Sequence, residues 1–107
     1  LPQQPETRRG VPQANHVHTL LLQGQQILEQ LFPGIEAELT TGGAPSVDWS
    51  SEYYFLNVWG WASLSPSDLI NRRCSRNILE CLVSKRLRSY TTLKFITATQ
   101  VRGLVSD

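Results

Sequence analysis

The 107-residue chain contains no uninterrupted run of about 18 apolar residues, so nothing in it reads as a membrane-spanning helix. No basic segment followed by an apolar core stands near its start, and the expectation is a soluble, cytoplasmic protein. Leu1 rather than methionine opens it, which gives the further expectation of an excerpt from a longer protein. Cysteine is scarce, with Cys74 and Cys81 alone. If both stand on a helix over about 75–88, seven residues of rise separate them by roughly 10 Å. A disulfide spans at most about 7 Å between Cα atoms, so two reduced, partly buried thiols are expected. Also missing are G-x-G-x-x-G, G-x-S-x-G and any paired carboxylates in a recognisable frame. Catalysis by side chains alone therefore has no candidate residue.

What is present is uneven in charge. Residues 1–70 hold two basic and seven acidic side chains, whereas 71–107 hold eight basic and two acidic, for a formal net charge of +1. With 40% apolar residues the chain can build one modest core, so a single domain is expected over 1–107.

Residues 1–18 read as an irregular lead-in ending in a Gly-Val-Pro-Gln turn and an H-x-H pair. Helices are expected over 19–43. Leu20, Leu21, Ile27, Leu28, Leu31 and Phe32 form an apolar stripe stopped by Pro33-Gly34, and a short helix carries Ile35 and Leu39 up to Gly42-Gly43. Between 46 and 64 the run of Val, Trp, Tyr and Phe predicts two or three short strands. Residues 74–107 predict a helix capped by Ser75, with Ile78, Leu79, Leu82, Val83 and Leu87 on one face. Two strands then follow, with Leu93, Phe95, Val101 and Val105 inward. The fold class is α+β, with two main helices and short strands.

His16 and His18 would face one way on an extended backbone, as two zinc ligands can. The thiols do not complete the set, because C-x6-C on one helix spreads them too far for a tetrahedral ion near 2.3 Å. No metal is expected. Arg72, Arg73, Arg76, Lys85, Arg86 and Arg88 could meet phosphates, but the aromatic residues lie upstream instead of interleaving with them, so no nucleic acid is expected. Lys85, Arg86 and Arg88 read as a solvated helix face. Arg76 differs, since at a helix start backbone N–H groups and the dipole already favour an anion.

Taken together, "RRGVPQANHVHTLLLQGQQILEQLFPGIEAELTTGGAP" and "CSRNILECLVSKRLRSYTTLKFITATQVRGLVSD" resemble the interior of an FAD-dependent monooxygenase of the aromatic-hydroxylase type. Arg8-Arg9-Gly10-Val11 is similar to the family's R-x-G-V segment, Leu20–Phe32 to the helix after it, and Val47–Ala62 loosely to its substrate-covering strands. Ser75-Arg76-Asn77-Ile78-Leu79 resembles an S-R-x-x-L helix start, and Gln100-Val101-Arg102-Gly103-Leu104 an E-V-x-G-L strand end.

The resemblance implies part of an α/β, Rossmann-like FAD-binding fold. It implies an oxidoreductase that takes FAD as cofactor and NAD(P)H as co-substrate, and hydroxylates or epoxidises a small organic substrate with oxygen. Arg8 would approach the ribityl or pyrophosphate portion of FAD, and Gln13 would stand in the turn beside the flavin. Arg76 would contact FAD from its helix start, and Val101 would pair through its backbone with the adenine. Trp49, Tyr53, Tyr54, Phe55, Trp59 and Trp61 would roof the substrate or pack in the core. The family's glycine fingerprint, its acidic ribose ligand and its later G-D segment have no counterpart here. The chain alone is therefore expected to be inactive and to bind FAD weakly or not at all. A flavin-dependent reductase or dehydrogenase of the same fold, and a non-enzymatic interaction module or inert gene fragment, are the alternatives.

Overall fold

The centre of the main sheet is the segment Ile-Asn-Arg-Arg-Cys, whose polar composition conceals a strand. The computed structural model describes residues 3–6 and 10–105. A 3-10 turn at Pro12–Asn15 leads into β1 (His18–Leu20), α1 (Leu22–Leu31), α2 (Ile35–Thr41) and β2 (Ser46–Asp48). Then come α3 (Trp49–Glu52), β3 (Leu56–Asn57), β4 (Gly60–Trp61), β5 (Ile70–Cys74) and α4 (Arg76–Arg88). Strand β5 lies between β1 and β2 and is antiparallel to both, with His18 opposite Cys74 and Val47 opposite Asn71. Strands β3 and β4 form a separate hairpin. The architecture is a small α+β domain.

Helix boundaries follow local chemistry. Ser75 caps α4 by accepting a hydrogen bond from the Ile78 N–H at 3.2 Å. The start of α2 is capped from α1, where the Glu29 carboxylate accepts from the N–H groups of Gly34 and Glu36. Those bonds, Gly34 first, hold the Glu29 carboxyl below its ordinary range. Gly34 has φ of 86°, a left-handed turn that lets α2 start directly after α1. Helix α1 has no side-chain cap of its own at Leu21. Asn71 of β5 supplies one from a distance, its Oδ1 accepting from the Leu22 N–H at 3.1 Å.

Ile35, Leu39, Ala44 and Cys74 form the buried centre, and Leu20, Leu28, Phe32, Ile78, Leu79, Leu82 and Val83 pack around it. The stripe expected over residues 20–32 is only half used. Leu20 belongs to β1, and Leu21, Ile27 and Leu31 remain exposed. Two short helices and a three-stranded sheet offer too little surface to cover a stripe that wide.

Arg72 is the least expected part of this core, at 4% exposure. Its Nη1 donates to the Ala44 carbonyl at 2.6 Å and to Thr40 Oγ1 at 2.8 Å, and its Nε donates to Gln25 Oε1 at 3.4 Å. Gln25, itself buried, donates to the carbonyls of Ile70 and Leu20. Two polar side chains thereby tie α1, the end of α2, and strands β1 and β5. The expected surface character of the other basic residues is corrected in part. Arg86 pairs with Glu38 of α2 at 2.6 Å, Arg73 stacks on Tyr53, and Arg88 lies over the Phe95 ring. Lys85 stays largely exposed, 3.7 Å from Glu38.

Three further expectations change. The described residues after α4 form no strand, and Leu93, Val101 and Val105 are exposed, Val101 at 84%. A strand needs a neighbour for its N–H and C=O groups, and no described strand pairs with this segment. With this tail the radius of gyration reaches 17.8 Å, against about 13 Å for a compact chain of this length. The aromatic run divides: Trp49, Tyr53 and Phe55 cluster with ring centroids 4.7 to 6.2 Å apart. Tyr54, Trp59 and Trp61 are solvent-facing, Trp59 at 91%, so core packing does not account for them. Finally, Cys74 ends β5 and does not belong to the helix of Cys81; both are free, buried thiols.

Asp48 fastens the segment after the hairpin. Its carboxylate accepts from the Ser67 N–H and hydroxyl at 2.8 and 2.7 Å and from the Ser50 N–H at 2.9 Å. These bonds, led by the Ser67 N–H, hold it far below the usual carboxylate range.

Two measurements check this account. Arg72→Ala strands the buried acceptors of Gln25 and Ala44, at about 1–3 kcal/mol for each unsatisfied group, so urea unfolding should show a loss of about 2–5 kcal/mol. Arg72→Lys, without the planar fork, should recover less than half of that loss. For Asp48 the folded-state pKa is the depressed one, so its stabilisation is complete above the unfolded value of about 3.9 and fades as pH falls below it. The stability gap between wild type and Asp48→Asn, read from urea midpoints, should therefore be widest above about pH 5 and narrow steadily in more acidic solution.

Candidate functional site

Because β1 pairs with β5 and β5 runs straight into α4, the H-x-H segment is brought against the start of α4. Between them lies an open cleft of about 330 Å³, walled by His18, Thr19, Leu20, Cys74, Arg76 and Glu80. A second cleft of about 360 Å³ shares His18 and Cys74 and extends past His16, Arg73 and Ser75. Both are wide open to solvent, and the first is at the small end for a ligand pocket.

Arg76 occupies the first position of α4. Its Nε donates to Glu80 Oε1 at 2.6 Å, one helical turn on, and its side chain is 42% exposed. Among the described residues nothing hydrogen-bonds its two Nη groups. The carboxylate thus holds the guanidinium by one edge and leaves the outer edge for a planar, doubly accepting anion. The helix start adds backbone N–H groups and the positive end of the dipole.

Gln13 sits in the 3-10 turn, exposed, and its backbone carbonyl is the part engaged. It accepts from the His16 N–H at 3.1 Å and from His18 Nε2 at 2.8 Å. The turn therefore fixes the histidine ring that walls the cleft. Of the four residues that the resemblance points to, Arg76 lines this cleft, and Gln13 does not line it but holds His18, which does. Val101 lies in the unpaired tail and does not line it. Arg8 lies outside the described residues. Sequence reasoning singled out Leu20 only as part of an apolar stripe and Cys74 only as a buried thiol, and it passed over Thr19 and Glu80, of which Glu80 left a signal in its four-residue spacing from Arg76.

Among the described residues no group of three or more His, Cys, Asp or Glu side chains is placed to hold a metal ion. None of the described helices is long and apolar enough to cross a membrane. Burial pushes the Cys74 thiol up from its ordinary value, against smaller opposing effects of the Leu20 backbone and the Arg72 charge. A raised thiol carries little thiolate at neutral pH and is a poor nucleophile. Cys74 should accordingly react with iodoacetamide much more slowly in the folded chain than in urea, with a rate that climbs with pH well beyond that of a free thiol; equal rates in both states would contradict its burial.

No family model matches the chain. Over 60 residues, 56% of the chain, it is 33% identical to Protein Rv3254 of Mycobacterium tuberculosis. The matched stretch makes up 13% of that protein's length, so the chain corresponds to a small part of this relative.

Proposed function

We propose that the chain is a piece of an FAD-dependent oxidoreductase with a Rossmann-like cofactor fold, and that the complete protein is a monooxygenase. It would hydroxylate or epoxidise a small organic substrate with NAD(P)H and oxygen. The observation that carries this reading is that His18 of the H-x-H pair and Arg76 of the Ser-Arg helix start, distant in sequence and in segments that the resemblance assigns to the flavin, wall one cleft. Arg76 fits the demand of a phosphate group. Its outer edge is unpaired among the described residues, it stands at a helix start, and Glu80 restricts its motion.

A cleft of about 330 Å³ suits part of a dinucleotide and not the whole. The remaining contacts would come from elsewhere in the longer protein. When bound, FAD supplies the redox chemistry, and the protein's share is to bind, orient and exclude water. In this reading Arg76 holds a phosphate oxygen pair, and the Gln13 turn sets the wall beside the flavin. Arg8 and Val101 would add contacts from segments whose pairing the longer protein completes. A flavin-dependent reductase of the same fold would use the same cleft, and product analysis under oxygen separates the two.

In the longer flavoprotein, Arg76→Ala should weaken FAD binding about 10- to 100-fold, the equivalent of losing a charge-assisted contact of about 1.5–3 kcal/mol. Arg86→Ala breaks the pair with Glu38, so it should lower stability modestly, by about 1 kcal/mol or less for a partly exposed pair, while leaving FAD affinity unchanged. Flavin titration of apoprotein decides the matter: equal effects of the two substitutions would remove Arg76 from the cofactor site.

A further inference from the structure

His18 has a ring whose tautomer is decided by its neighbour. A carbonyl oxygen can only accept, so the 2.8 Å contact between His18 Nε2 and the Gln13 carbonyl requires the proton on Nε2. In the neutral ring Nδ1 is then an acceptor, and nothing among the described residues hydrogen-bonds it. Turning the ring over would break its contact with the Gln13 carbonyl, and β1 fixes the backbone that carries it by pairing His18 with Cys74. His18 is, moreover, a wall of both clefts, with Arg76 and Glu80 across the first of them.

The cleft therefore offers two different kinds of polar contact. Arg76 presents a donor fork suited to an oxyanion. Glu80, an acceptor on that wall, is engaged by Arg76, and His18 Nδ1 in the neutral ring is an acceptor suited to a hydroxyl, with the Thr19 hydroxyl beside it in the cleft. A hydroxyl donor linked to a phosphate matches both, whereas a bare phosphate satisfies only the arginine. We infer that His18 is a ligand-contacting residue of this cleft, its Nδ1 accepting a hydrogen bond from a hydroxyl of a phosphorylated polyol or sugar whose phosphate is held by Arg76. The inference rests on the flavin reading, in which such hydroxyls occur on both the ribityl chain and the ribose. It assigns a role to His18, which the resemblance left without one.

The test uses the full chain labelled with 15N-histidine, titrated by NMR with riboflavin 5′-phosphate, ADP and inorganic phosphate at millimolar concentrations. Before ligand is added, at about pH 8 where an ordinary imidazole is neutral, the His18 Nδ1 resonance should be that of the acceptor nitrogen of the Nε2–H tautomer, and it should shift on addition of riboflavin 5′-phosphate or ADP. His18→Phe removes both ring nitrogens and should weaken one of these two ligands by about two- to tenfold, the effect of one neutral hydrogen bond. The ligand affected tells the ribityl chain from the ribose. His18→Asn keeps an oxygen acceptor near the Nδ1 position and should restore most of the loss. Inorganic phosphate should bind both variants as it binds wild type, and Arg76→Ala should weaken all three ligands.

If Arg76→Ala weakens binding while His18→Phe does not, or if Nδ1 proves protonated or silent to ligand, the role of His18 is overturned and the flavin reading stands. Should no ligand respond to Arg76→Ala, the phosphate contact is absent and this inference fails, while the flavin reading is decided separately by flavin titration of the longer protein. The wild-type nitrogen shifts decide the question even if His18→Phe does not fold.

Discussion

A buried guanidinium holds the architecture together. Arg72 stands in the middle strand of the sheet, inside a core assembled from short elements, with no described carboxylate to pair with it. A charge in that position is tolerable only because neutral oxygens surround it. Those oxygens come from Gln25 on α1, Thr40 on α2 and Ala44 just before β2. Each element that supplies one is thereby fixed relative to β5. The apolar centre of Ile35, Leu39, Ala44 and Cys74 is small, so direction-specific polar bonds share the work of orientation with non-directional burial.

The cleft depends on that arrangement. Gln25, oriented by Arg72, donates to the carbonyls of Leu20 and Ile70, and Leu20 ends the strand that carries His18. Strand β5 passes from Arg72 through Cys74 to the Ser75 cap and so delivers Arg76 to the opposite wall. The buried arginine and the one facing the cleft are four residues apart on one continuous segment, with opposite environments. One is saturated with acceptors inside the core. The other is held, among the described residues, by a single carboxylate and keeps its outer donors unpaired there.

Much of the helical structure was legible from local pattern. Ser75 before a run of periodic leucines marked the start of α4, and Pro33-Gly34 and Gly42-Gly43 marked the two ends of α2. Caps and glycine turns act within a few residues, so their chemistry can be read in order along the chain. Strand β5 was hidden because its alternation is carried by polar residues. Asn71 and Arg72 are buried through hydrogen bonds to α1 and α2, and no hydropathy pattern records that. The tail shows the reverse failure: its residues favour a strand, but a strand forms only where a neighbouring edge exists.

The amino-acid order by itself determined the α+β class, the span of α4 and its cap, and the distinction of Arg76 as a cation at a helix start. Tertiary structure alone decided that Arg72 is inside, that Arg86 bridges two helices, and that Glu80 restrains Arg76. It also decided that His18, held by the Gln13 carbonyl, shares a cleft with that arginine. The physical reason is range. Capping and helix periodicity are settled between residues a few positions apart, whereas the fate of a polar side chain depends on which distant groups the fold places within hydrogen-bonding reach.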